Sequence, residues 1–128
     1  MNKATIKSIL EQEAEAVRNI PVGAAYDAAI ELIIEHVHHR GGTLVISGMG
    51  KAGQIAMNIA TTFSSTGTPA YFLHPSEAQH GDLGIVRRHD LMLLISNSGK
   101  TRELLELVQL TRELVEDMQF IVITSDLD

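Results

Sequence analysis

Four short, unbroken apolar runs constrain this chain more than any other feature: TLVIS at 43–47, AYFL at 70–73, LMLLIS at 91–96 and FIVIT at 120–124. A strand with one wet face alternates apolar and polar residues, whereas a continuous run needs cover on both faces, the condition of a parallel sheet between helices. The intervening segments supply those helices. Residues 51 to about 64 place Ala52, Ile55, Ala56, Ile59 and Phe63 at helical spacing. Residues 101–117 turn Leu104, Leu105, Val108, Thr111, Leu114 and Val115 inward, with charged residues opposite. Strand–helix alternation with right-handed crossovers gives the expected class, an open parallel α/β sheet flanked by helices in three layers.

Two helices precede the sheet. Ile6, Ile9, Leu10, Ala14 and Val17 form an apolar stripe over 3–18, and Pro21 separates it from a second stripe, Ala25, Tyr26, Ala29, Ile30, Ile33 and Val37, which Gly41-Gly42 ends. The expected organisation is one domain over 1–128, with a leading helical pair at 1–42 and the sheet portion at 43–128. At 128 residues the chain is long enough for one self-standing core. Its 45 % apolar and 20 % charged content excludes whole-chain disorder. Ten Lys and Arg against sixteen Asp and Glu, with no basic stripe, argue against nucleic acid as a partner. There is no cysteine, hence no disulfide framework or thiolate chemistry, and no apolar run of membrane-spanning length. A cytoplasmic protein is expected. No helix follows the fourth run before Asp128, so the sheet is finished by a partner or the domain is truncated at its carboxyl end.

In open α/β sheets, ligands bind beyond the carboxyl ends of the strands, where turns present N–H groups and helix amino termini. The first such turn, Gly48-Met49-Gly50-Lys51-Ala52-Gly53, spells G-x-G-x-x-G. A dinucleotide site also wants an acid about 20 residues on, where this chain has His74, and the glycines equally fit a tight turn with close helix packing. Lys51 opposes the dipole at a helix start, and a bound anion explains it better than stability does, with a plain solvated lysine as the alternative. The third turn, Ser96-Asn97-Ser98-Gly99-Lys100-Thr101, ends like a P-loop but has Leu94 where that motif needs glycine. Its hydroxyls on Ser96, Ser98 and Thr101 exceed what one helix cap uses and suit a small phosphate monoester, with capping by Ser98 or Thr101 as the plainer account. Glu103, one turn into the helix, is stabilised there by the dipole and is also placed to act as a base. The loop from His74 through Glu77 and His80 to Asp82 gathers imidazoles and carboxylates; a metal site is one reading and helix-capping or buried, hydrogen-bonded histidines the plainer one, and without fixed ligand spacing no metal is assigned. His36, His38 and His39 fit a helix carboxyl end and are given no chemistry.

The segments GMGKAG, ATTFSSTGTPAYFLHPSEAQHGDLG and ISNSGKTRE together resemble the sugar isomerase (SIS) domain family, and within it the D-arabinose-5-phosphate isomerases, from about residue 44 to 124. The resemblance implies a five-stranded parallel sheet and interconversion of D-arabinose 5-phosphate and D-ribulose 5-phosphate for synthesis of the Kdo of lipopolysaccharide or capsule. It implies a phosphorylated pentose as ligand, no cofactor, and a homo-oligomer, dimer or tetramer. By the same resemblance Ser96, Asn97, Ser98 and Thr101 hold the sugar phosphate, with Gly50 and His74 beside them. Lys51, His80 and Glu103 belong to the catalytic set: Glu103 moves the proton, Lys51 or His80 stabilises charge on the carbonyl oxygen, and an imidazole assists ring opening. Ala52 replaces a serine common in relatives. A further family Glu and His, and the paired CBS modules, have no counterpart in 1–128. Two functions follow: an isomerase, or a sugar-phosphate-binding module of the same fold without turnover.

Overall fold

The computed structural model describes residues 2–127. It contains helices α1 (Lys3–Arg18) and α2 (Ala24–Ile33), strand β1 (Leu44–Gly48), helix α3 (Gly50–Ser65), strand β2 (Ala70–Phe72), the short helix α4 (Pro75–Ala78), strand β3 (Leu91–Ile95), helix α5 (Arg102–Leu114) and strand β4 (Gln119–Ile123). All strand pairs are parallel and the sheet order is β2-β1-β3-β4. The expected α/β class is therefore correct, with four strands among the described residues against the five that the family resemblance implies.

Alternation along the two central strands divides the core. Leu44 and Ile46 of β1 join Leu91, Leu93 and Ile95 of β3 on one face, packed under Ala56 and Ala60 of α3 and Val37. Val45, Met92 and Leu94 point the other way, against Leu104 and Leu107 of α5 and Ala78 of α4. Every residue of β1 and β3 is buried, as unbroken apolar runs require. The edge strand β4 is half-covered, with Val122 and Ile123 exposed.

Several expected inward positions face out. Ile55 of α3 and Leu105 and Leu114 of α5 are exposed, while Leu107, outside the expected stripe, is fully buried. An amphipathic stripe is wider than the strip that touches a sheet, and packing selects within it. The second helix starts at Ala24 rather than Pro21 and passes into a π-helical segment, Ile34–His39. His36 and Val37 of that segment are buried, while Tyr26 and Ile30 of α2 are exposed. All of α1 is exposed, its apolar stripe included. Opposite the site, Asp90 ties the strand entrances together: its carboxylate accepts from the N–H groups of Thr43 and Arg87, both at 2.8 Å.

Candidate active site

The register sets Ser47 and Gly48 of β1 beside Leu94 and Ile95 of β3, so the turns that follow these strands emerge side by side. From β1 the chain passes through α3 to β2 on one side, and from β3 through α5 to β4 on the other. The two turns therefore flank the point where strand order reverses, the place where doubly wound sheets hold ligands.

The glycine turn is shaped by close approach. A Cβ on Gly53 would lie 2.6 Å from Gly48 O, and one on Gly48 would lie 2.9 Å from the Ala52 carbonyl, so α3 starts against the end of β1 only because both are glycine. Gly50 has φ +58°, where side chains are strained. These contacts are the tight-turn account of G-x-G-x-x-G. They leave Lys51 exposed at the helix start, with no ion pair among the described residues. Beneath, buried Ser47 donates to Leu73 O at 2.5 Å and fastens β1 to the start of the next loop.

The turn after β3 is held by its own hydroxyls. Ser96 Oγ and Thr101 Oγ1 are 2.7 Å apart, Ser96 Oγ accepts from Gly99 N–H at 3.0 Å, and Ser98 Oγ accepts from Lys100 N–H at 3.0 Å. Thr101 is the N-cap residue of α5, yet its side chain caps nothing. Capping by Ser98 or Thr101 is thus not what the hydroxyls do. Leu104 N–H turns back to Thr101 O at 3.1 Å, while the N–H groups of Arg102 and Glu103 have no acceptor among the described residues, and an N-terminal dipole that no side chain caps favours an anion. Glu103 lies in that first turn, half-buried.

The loop after β2 comes alongside α5. His74 caps α4, its Nδ1 accepting from Ser76 N–H at 3.1 Å, so one ring nitrogen is engaged in structure and Nε2 is the one left for a ligand. Gln79 Nε2 donates to Glu106 Oε2 at 2.6 Å, and Arg102 Nε donates to Glu106 Oε1 at 2.8 Å. The hydrogen bond from Arg102, then that from Gln79, hold the Glu106 carboxyl below its ordinary range. His80, next to Gln79, is exposed beside α5, and only its backbone is fixed, to Glu77 O. Among the described residues no group of three or more His, Asp or Glu comes together as a metal site, and His74, Glu77, His80 and Asp82 do not converge. Neither Gln79 nor Glu106 is marked as functional by the sequence. The Arg102/Glu106 pair has readable i, i+4 spacing, but the Gln79 contact spans 27 residues and leaves no local signal.

The sequence profile of the SIS domain matches residues 38–128. The chain belongs to the SIS domain family. It is similar to a solved protein from Bacteroides fragilis NCTC 9343, described as a phosphosugar isomerase involved in capsule formation, at 64 % identity and a TM-score of 0.96, over 98 % of this chain and 65 % of that one. A structure from Escherichia coli CFT073 in complex with arabinose 5-phosphate matches at 34 % identity and a TM-score of 0.79, over 98 % of this chain and 67 % of that one. The arabinose 5-phosphate isomerase KdsD of Francisella tularensis is 43 % identical over 101 residues, 79 % of this chain and 30 % of the relative. This SIS chain thus spans less than a third of the length of that curated relative.

Proposed function

We propose that this SIS domain, residues 1–128 or a longer domain that contains them, binds a phosphorylated pentose at the strand-order reversal and interconverts D-arabinose 5-phosphate and D-ribulose 5-phosphate. The observation that carries the reading is the turn after β3. Three hydroxyls lie within six residues of one turn, the N–H groups of Arg102 and Glu103 at the start of α5 have no acceptor among the described residues, and the Glu103 carboxylate stands in the first turn of that helix. The relatives named arabinose 5-phosphate isomerase support the choice of substrate, and the Bacteroides fragilis protein described as involved in capsule formation supports a place in capsule synthesis, with lipopolysaccharide synthesis the other route that the family resemblance implies.

The reaction moves one proton between neighbouring carbons and calls on no cofactor. Ser96, Ser98, Thr101 and Asn97 hold the phosphate, with Gly50 and His74 at the margin of the site. Glu103 takes the proton from C2 of the aldose, and the C1 carbonyl becomes the hydroxyl of an enediol. The proton returns at C1 while the C2 hydroxyl gives up its own and becomes the ketone. Charge growing on the oxygen is met by Lys51 or His80, both exposed at this edge of the sheet.

The test is an isomerisation assay with D-arabinose 5-phosphate that follows ketose formation and solvent deuterium uptake at C1 of the ketose, with Glu103→Gln as control. Turnover that the control abolishes while phosphate binding survives is the expected result. Folded protein that binds the sugar phosphate without turnover would replace the enzyme by a binding module.

The same reading includes a homo-oligomer, dimer or tetramer, in the cytoplasm. Ile6, Ile9, Leu10 and Val17 are each 40 % exposed or more on a helix that buries nothing, and a lone helix of 16 residues is marginal in water. A second copy of the chain would cover that stripe. Sedimentation of the protein and of its Leu10→Glu variant tests this: the variant should run as a smaller species. Among the described residues no helix is long and apolar enough to cross a membrane.

A further inference from the structure

The turn after β4 has no assigned role, yet its polar groups are spent on the neighbouring turn. Ser96 N–H donates to Ile123 O at 3.0 Å, which brings the two strand ends level. Beyond that point Ser125 reaches across to a single residue. Its N–H donates to Asn97 O at 3.2 Å, and its hydroxyl lies 2.6 Å from Asn97 O and 2.8 Å from Asn97 Oδ1. Thr124 Oγ1 adds a contact to Asn97 O at 3.3 Å. The wrap is close: a Cβ on Gly99, whose φ is +69°, would stand 3.2 Å from Thr124 Oγ1 and 3.3 Å from Asp126 O. Lys100 Nζ reaches Asp126 Oδ2 at 3.7 Å.

These contacts hold Asn97 by both its main chain and its side chain. Asn97 is exposed and, without Ser125, its amide could turn freely and present either the oxygen or the nitrogen to a ligand. The Ser125 hydroxyl shares its one hydrogen between Asn97 O and Asn97 Oδ1, so the amide oxygen lies on the Ser125 side and Nδ2, with two N–H donors, is the end left for a bound group. A phosphate oxygen accepts from that end and is repelled by the other.

We propose that Ser125 is a positioning residue for sugar-phosphate binding: its hydroxyl fixes the Asn97 amide so that the nitrogen faces the ligand. This rests on the phosphate reading of the turn after β3. Serine suits the task because one short arm with one hydroxyl reaches two oxygens of the same residue, which alanine cannot do. The effect belongs to binding, not to the proton transfer.

The experiment is calorimetric titration of the protein with D-arabinose 5-phosphate in Ser125→Ala, Ser125→Thr, Asn97→Ala and the double variant Ser125→Ala/Asn97→Ala. Ser125→Ala should weaken binding about five- to tenfold, the scale of one neutral hydrogen bond. Ser125→Thr, which keeps the hydroxyl, should bind within about twofold of the parent, and the double variant no more weakly than Asn97→Ala alone, since residues that act through one another are not additive. A merely structural serine would cost the same in either background. The proposal is overturned if Ser125→Ala binds like the parent, or if its loss persists in full without Asn97. Ser98→Ala and competition by inorganic phosphate are measured alongside. If neither moves binding, the phosphate turn itself is wrong; if both do and Ser125→Ala does not, only the role of Ser125 falls.

Discussion

The turn after β3 and the loop after β2 stand at the same edge of the sheet and are held in different ways. In the turn, Ser96 and Thr101 hydrogen-bond to each other, Ser96 and Ser98 accept from the local backbone, and Thr124 and Ser125 close over it from the turn after β4. The loop from His74 to Asp82 has one cap at His74 and one side-chain tie to α5, Gln79 to Glu106, and its His80 side chain is exposed. Donors fixed before the ligand arrives cost little ordering on binding, whereas a loosely tied segment can close over what is bound. Under the proposed function the difference becomes a division of labour, in which the stitched turn would set where the phosphate sits and the loop would set how the rest of the sugar is enclosed. Variants in the two regions should then separate affinity from turnover.

The largest separation belongs to Glu103, which lies on the helix that the turn begins but is assigned to chemistry. Glu103→Gln keeps the shape and loses the base. Turnover should fall by about 10² to 10⁴-fold, the range of a positioned acid–base group, with the dissociation constant for D-arabinose 5-phosphate changed less than about threefold. Loss of affinity equal to the loss of rate would place Glu103 among the binding groups instead and blur the contrast.

Ser96→Ala comes next and acts on the turn itself. The hydroxyl it removes is the hub between Thr101 Oγ1 and Gly99 N–H, and it is buried, so the loss reaches the turn's shape as well as any contact with phosphate. Binding should weaken by at least about tenfold, which is about 1.4 kcal/mol. Deuterium uptake at saturating substrate should stay within about threefold. Titration and exchange on the same sample check this, and a variant that binds normally but exchanges slowly would reverse the two roles.

How far these regions could be read from the sequence follows the range of their contacts. The sheet was legible because continuous apolar runs have few other uses, and β1 and β3 are buried end to end. The hydroxyl turn was legible because its excess of donors lies within six residues. Helix faces were less so: Leu105 and Leu114 belong to the stripe of α5 but miss the sheet, and Leu107 meets it. The stripe of α1 announced an amphipathic helix correctly and said nothing of what covers it. The contacts of Ser125 with Asn97 and of Gln79 with Glu106 span 28 and 27 residues, and no periodicity or motif records a pair that only the folded sheet brings together.

The smallest effect tests the loop by its single tie. Gln79→Ala leaves Glu106 bonded to Arg102, so α5 keeps its i, i+4 pair, and what is lost is the link at 2.6 Å that holds the residue beside His80 against the helix. Since the bond is exposed, melting should shift little. Turnover should fall about two- to fivefold through a less populated closed loop, with phosphate affinity unchanged, the reverse of Ser96→Ala. Glu106→Gln should do somewhat more, because it also removes the charge that Arg102 pairs with. The pH dependence has a fixed sign. The Glu106 carboxyl is held below its ordinary range, chiefly by Arg102 and then by Gln79, so the tie is intact above that range and is lost as pH falls through the lowered value. In neutral solution, therefore, the parent should show no titration of turnover from this group. If Gln79→Ala lowers phosphate affinity as much as Ser96→Ala does, the loop takes part in seating the phosphate and the two regions are one binding unit.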